Sequence, residues 1–300
     1  MKSRPKVLII VGPTSSGKSA LAVELARKFD GEIISADSRQ VYKKLDIGTG
    51  KITASEMKGI SHHLLSIVSP KKIFTAHDFV EKGHVLIKEI TARGKLPIIA
   101  GGTGFYIDAL VGRIILPNVP ANEKLRTRLL KKTAGQLYSF LEKKDPRRAK
   151  TIDPNNKRRL IRALEIIAAI GRVPKNADAR HPHFDALWIG IRHPLKKLER
   201  KITARLRTRI KQGMIEEGRK LHASGLSYKR MFNLGLEYRA LSLYLQGKIT
   251  RSQMFDELNR DIRNYAKKQM MYWARNDSIR WFDPKMERGI VSCVRAWLQG

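Results

Sequence analysis

The stretch GPTSSGKSAL, residues 12–21, matches G-x-x-x-x-G-K-[ST], with Gly12, Gly17, Lys18 and Ser19 at the fixed places. Such a loop works only where a buried strand delivers it and a helix leaves it. Its glycines let backbone N–H groups approach a phosphate chain, and the helix N-terminus adds positive potential. The flanks supply both elements. Lys6–Val11 is a short apolar run, and Ser19–Phe29 carries Ala20, Leu21, Val23, Leu25 and Ala26 as a helix. Residues Gly12, Pro13, Thr14, Ser15, Ser16, Gly17, Lys18 and Ser19 are therefore expected to cradle a chain of phosphates. Lys18 bridges its oxygens, and Ser19 is the expected Mg²⁺ ligand. The motif leaves open whose phosphates these are: an ATP-binding ATPase, a kinase and an enzyme of another diphosphate all share it.

The first hundred residues alternate strand and helix. A second strand is expected at Glu32–Ala36, a helix over Thr75–Arg93 and a third strand at Leu96–Ala100. Alternation of this kind means βαβ units and a parallel sheet with its active loops at the carboxyl ends of the strands. After Pro117 and Pro120 the pattern turns helical. Leu125, Leu129 and Leu130 form one stripe, followed by Leu137, Phe140 and Leu141, then Leu160, Leu164 and Ile167. The stretches DPRRAK and DPNNKRR read as helix starts with Pro at the first position. A polar connection, RVPKNADARHPHF, leads to a strand at Ala186–Ile191, and the rest is mostly helical. The expected fold is α/β: a P-loop NTPase-like parallel sheet over residues 1–120 and 185–300, with an inserted all-helical domain over residues 121–184.

The formal net charge is +33. It is densest in the helical segment, where residues 121–184 carry 17 basic against 6 acidic side chains. A polyanionic partner is the natural reading, because every phosphate neutralised releases counterions. The longest early apolar run is too short for a membrane span or a signal-peptide core. With only Cys293, an internal disulfide and a cysteine-based zinc site are both excluded. A cytoplasmic location, no membrane association and a monomeric state are expected.

Two further constellations carry chemistry. In IISADSRQVY, Asp37 follows a strand beside the loop, where a carboxylate reaches both a metal and an incoming nucleophile; the competing role is a helix N-cap. In IIAGGTGFYIDAL, glycines 101, 102 and 104 bring backbone close to something, and Thr103 offers a hydroxyl. No acidic residue closes that strand, which argues against a motor ATPase. His62 and His63 have no evident third ligand, so a structural role is expected. Core packing is expected for Tyr272, Trp273 and Trp281 over base stacking, and for Phe255, Leu258, Ile262, Tyr265 and Met270. Three function classes remain on these residues alone: transfer of a group from a diphosphate to RNA, a nucleoside or RNA kinase, and a nucleic-acid-binding module with a regulatory nucleotide site.

The order of GPTSSGKSALA, ISADSRQVYKKLDIGTGK, HHLL, TAHDF, GGTGFYIDAL, NNKRRLIRALEI, YRAL and KKQMMYWAR resembles that of the tRNA dimethylallyltransferases, from about Lys6 to Trp281. The resemblance implies that the loop holds dimethylallyl diphosphate and that a dimethylallyl group goes to N6 of the adenosine beside the anticodon. It also implies that the helical insert meets the tRNA anticodon stem-loop. By motif, Asp37 accepts a hydrogen from the adenine amine, Thr103 lies near the transferred carbon, and Lys18 and Arg205 face the diphosphate. Asp37, Ser38, Arg39, Gln40, Thr103, Arg126, the run Arg158, Arg159, Leu160, Ile161 and Arg162, and Tyr238–Arg239 match tRNA-contacting stretches. The chain departs from the pattern at Glu237, where glycine is usual, at Ser66, where an acidic residue is common, and in GTGK.

Overall fold

A computed structural model describes residues 4–174 and 184–300. Most of the polar connection RVPKNADARHPHF lies outside the described residues. The chain divides into two compact units, Met1–Val111 with Pro182–Gly300, and Gly112–His181.

In the first unit, strands β1 (Lys6–Val11), β2 (Gly31–Ser35), β3 (His62–His63), β4 (Leu96–Ala100), β5 (Asp185–Ile191) and β6 (Ile279–Phe282) form one parallel sheet in the order β3-β2-β4-β1-β5-β6. β1 shows why both faces are covered. Val7, Ile9 and Val11 enter one core, and Leu8 and Ile10 enter another, because successive side chains of a strand point to opposite faces. Helices α1 (Lys18–Lys28) and α14 (Glu287–Gln299) cover the second face. The first and larger core takes α3 (Ala76–Ala92), α4 (Gly104–Leu110), α9 (Leu195–Lys211), α10 (Met214–Ala223), α11 (Tyr228–Leu234), α12 (Leu236–Leu245) and α13 (Arg251–Trp273). A short α2 (Ala54–Met57) begins in a capping box made by Thr53 and Glu56. α3 begins in the same way, with Thr75 and Asp78.

The second unit holds α5 (Glu123–Leu130), α6 (Ala134–Lys144), α7 (Pro146–Ala149) and α8 (Lys157–Ile170) around its own core of Leu129, Leu137, Leu141, Leu160, Leu164 and Ile167. α7 starts as the sequence suggests, with Asp145 capping and Pro146 at the first position. α8 does not. Asp153 spends its carboxylate on the N–H of Asn155 in a tight turn, and Asn156 caps the helix that begins at Lys157. Leu130 and Phe140, expected in the apolar stripes, are exposed. Among the described residues no helix is long and apolar enough to cross a membrane.

Candidate active site

Three loops meet because their strands are neighbours. β2, β4 and β1 lie side by side, so the residues after each emerge at one carboxyl edge. After β1 comes the glycine-rich loop, after β2 comes Asp37, and after β4 comes Gly101–Thr103. Gly12 takes φ +145°, and a Cβ there would lie 2.5 Å from the carbonyl of Ile191. A Cβ on Gly101 would collide with the carbonyl of Ala36, so only glycine lets the second and third loops close on each other. Thr103 completes that contact: its N–H donates to Ala36 O at 3.1 Å, and its hydroxyl accepts from Ser38 N at 3.1 Å.

The loops surround a cavity of about 90 Å³ whose wall includes Lys18, Ser19, Asp37, Gln40, Arg205 and Gln269. α1 opens from Gly17 in the left-handed conformation, and its free N–H groups favour an anion there. The Lys18 ammonium folds back onto Pro13 O at 2.6 Å. Burial, then the Arg205 guanidinium, lowers its pKa to about 7, with Asp37 opposing them. Burial and the neighbouring Arg209 also push the Arg205 pKa down. Lys18 is half-buried and Arg205 exposed, and two cations that disfavour each other's charge make a site that gains when an anion arrives between them.

Asp37 divides its carboxylate. Oδ1 accepts from the N–H groups of Arg39 at 2.8 Å and Gln40 at 3.2 Å, which fixes the turn. The residue following it is not helical, so this is a turn and not a helix cap. Beside Thr103 sits the phenol of Tyr265, whose pKa is raised by burial first and then by the Asp37 charge. It stays a proton donor.

Gln269 is the residue that motif reading missed. From α13 its carbonyl oxygen accepts from Thr14 N at 2.8 Å, and its amide donates to Gly102 O at 2.9 Å. One buried side chain thus ties the glycine-rich loop to the loop after β4. The available signal was its place in the stripe Leu258, Ile262, Ala266, Gln269, Trp273, where every other member is apolar and buried. Tyr265, expected in the core, lines the cavity instead.

A family model described as IPP transferase matches residues 40–277. The chain belongs to this family. It is 38% identical over 281 residues to the tRNA dimethylallyltransferase of Anoxybacillus flavithermus, covering 93% of this chain and 90% of the relative. Its fold matches the crystal structure of the tRNA isopentenylpyrophosphate transferase from Bacillus halodurans with TM-score 0.75 and 35% identity, over 99% and 97% of the two chains. It also matches a eukaryotic dimethylallyltransferase described as acting on tRNA, with TM-score 0.81 and 27% identity, over 93% and 73%.

Several residues matched to the family's tRNA-contacting stretches are placed otherwise than the motifs suggest. Leu160 and Ile161 lie in the helical core, so their side chains offer no surface to a partner. Tyr238 is 1% exposed and donates its hydroxyl to Glu217. Arg126 is committed to the buried Glu165, with contacts of 2.7 and 3.0 Å. Arg162 donates to Val119 O at 2.8 Å and pairs with the same Glu165 at 3.5 Å. Leu160, Ile161 and Arg162 were matched as part of a run and Tyr238 as one of a pair, and within a helix only some positions of a run face outward; Arg126 was matched singly, and its partner Glu165 lies 39 residues away. Arg158, Arg159 and Arg239 are exposed, while Ser38, Arg39 and Gln40 are half-buried. The family departure at Glu237 has a partner in Arg209 at 2.9 Å. His63 pairs with Glu32 at 2.7 Å, and His62 bonds to Ile60 O at 2.8 Å.

Proposed function

We propose that this chain transfers the dimethylallyl group of dimethylallyl diphosphate to N6 of the tRNA adenosine 3′-adjacent to the anticodon. The observation that carries the reading is one cavity holding both halves of that chemistry: Lys18, Arg205 and a helix N-terminus for a leaving diphosphate, and Asp37 for an incoming amine. Adenine N6 is a weak nucleophile because its lone pair is delocalised into the ring. As the N6–carbon bond forms and the carbon–oxygen bond to the diphosphate breaks, the N6 proton passes to Asp37 and the electron pair leaves with the diphosphate. Thr103 is not on the cavity wall; its hydroxyl accepts from Ser38 N and so holds the Asp37 loop in place.

Among the described residues no three His, Cys, Asp or Glu side chains converge. Mg²⁺ usually takes one or two protein oxygens and completes its shell with water and phosphate. Ser19 and Asp37 on one cavity wall fit that need. When bound, Mg²⁺ would neutralise diphosphate charge.

The exposed Arg158, Arg159 and Arg239 offer contacts to tRNA phosphates, and Ser38, Arg39 and Gln40, which follow Asp37 in the chain, offer contacts beside the reacting base. A kinase would place ATP in the same loop; the family supports the prenyl donor instead. Incubating the protein with tRNA and either labelled dimethylallyl diphosphate or γ-labelled ATP tests this. Label is expected in RNA only from the first, and phosphate label in RNA would overturn the reading.

A further inference from the structure

We infer that Glu217, on α10 and absent from the cavity wall, is a positioning residue for the diphosphate end of the reaction, acting through the segment 46–52. This inference rests on the diphosphate reading of the cavity. The segment DIGTGKI forms no helix or strand, so side chains must set its path. Glu217 Oε2 accepts from Asp46 N at 2.9 Å and Ile47 N at 2.7 Å. Its Oε1 accepts from Gly48 N at 3.0 Å and from the Tyr238 hydroxyl at 2.7 Å. A carboxylate has about four acceptor sites, so this one is fully used, and three of its donors are consecutive backbone N–H groups. Burial, followed by the Glu217 charge, pushes the Tyr238 pKa well up, which keeps that phenol a donor.

The same segment then reaches the site. Gly48 O accepts from Arg209 at 2.6 Å, Thr49 and Ile52 line the cavity, and Gly50 O accepts from Arg205 at 2.8 Å. Gly50 takes φ +58°, and an added Cβ would lie 2.5 Å from the Arg205 guanidinium. The backbone at Gly50 therefore decides where Arg205 stands, and Glu217 decides where that backbone runs. Glutamine at 217 keeps the length but loses the charge and half of the acceptor capacity.

The test measures binding of inorganic diphosphate by calorimetry on the full chain, with tRNA affinity and the KM for dimethylallyl diphosphate alongside. Bonds to a charged acceptor are worth enough that Glu217→Gln is expected to weaken diphosphate binding about tenfold. The KM should rise in proportion while tRNA affinity holds. In an Arg205→Ala background the same change should cost less than about twofold, because the two residues act in series. A full loss in that background, or none in the otherwise wild-type chain, overturns the inference. Should Glu217→Gln fail to fold, Glu217→Asp keeps the charge and shortens the reach; wild-type diphosphate affinity in that variant overturns the inference equally. Failure of the wild-type chain to bind diphosphate would overturn the site reading and this inference with it, whereas binding indifferent to Glu217 overturns this inference alone.

Discussion

In the proposed reaction Asp37 fixes its turn and accepts a proton with one side chain, and substitution separates the two roles. Asparagine retains the Oδ1 that accepts from Arg39 and Gln40, so Asp37→Asn is expected to keep the turn, the melting temperature and the tRNA affinity. It cannot take a proton from N6, and a positioned base contributes roughly 10²–10⁴-fold, so the single-turnover rate should fall within that range. A folded variant with wild-type turnover would remove Asp37 from the chemistry. Lys18 makes a pH prediction. Its pKa in the free protein is lowered to about 7, and a bound diphosphate favours the charged form. Below about pH 7 the ammonium is already present and affinity is full. Above it, binding must draw a proton onto Lys18, so affinity should fall by up to about tenfold per pH unit. Calorimetry with dimethylallyl diphosphate near pH 8, in buffers of different ionisation enthalpy, should register close to one proton taken up. Lys18→Arg should abolish that uptake, and an unchanged value would contradict the assignment. The places of Lys18 and Asp37 on the cavity wall were legible because their motifs have fixed spacing and follow strands, whereas Thr103 lies off that wall. Gln269 stands 255 residues from Thr14, its partner, and no spacing rule connects them; only a polar residue in an apolar stripe hinted at the role.

At the scale of the element, α8 shows how far a basic run can be trusted. Its periodicity placed Leu160, Leu164 and Ile167 in the core correctly, and the same periodicity turns Ile161 inward. Of the arginines, Arg162 is engaged with Val119 O and Glu165, and Arg126 reaches Glu165 across 39 residues of chain. The sequence spacing could suggest the first ion pair but not the second. The arginines left facing solvent are Arg158 and Arg159. Replacing both with alanine should weaken tRNA binding and reduce its salt dependence by up to about one unit of slope per lost phosphate contact, without changing the melting temperature. Titrations over a range of salt read the slope directly, and an undiminished slope would place the RNA contacts elsewhere. α12 carries the related lesson. Tyr238 and Arg239 were read as a pair, yet adjacent helical residues diverge, and Tyr238 is buried against Glu217 while Arg239 is exposed over the Phe232 ring.

At the scale of the molecule, the central strands were legible because each is a short apolar run, followed in β1, β2 and β4 by glycine or alanine. β1 and β4 fall where the sequence placed them, β2 is shifted back by one residue at both ends, and β5 starts one residue earlier. β3 and β6 were not legible: two histidines and the four residues of IRWF carry no usable period, and they become strands because a neighbouring edge offers hydrogen bonds. The order β3-β2-β4-β1-β5-β6 is what brings the three motif loops together, and it makes a single cavity out of residues spread from Thr14 to Gln269. The net charge of +33 fits a polyanionic partner for that cavity's product. In the proposed function this cavity joins a dimethylallyl group to a tRNA base. Nucleoside mass spectrometry of tRNA incubated with the protein, Mg²⁺ and dimethylallyl diphosphate tests it most directly. N6-dimethylallyladenosine is expected at the position 3′ to the anticodon, present with the wild-type chain and absent with Lys18→Ala; unmodified adenosine there, or equal modification by the variant, would overturn the proposed function.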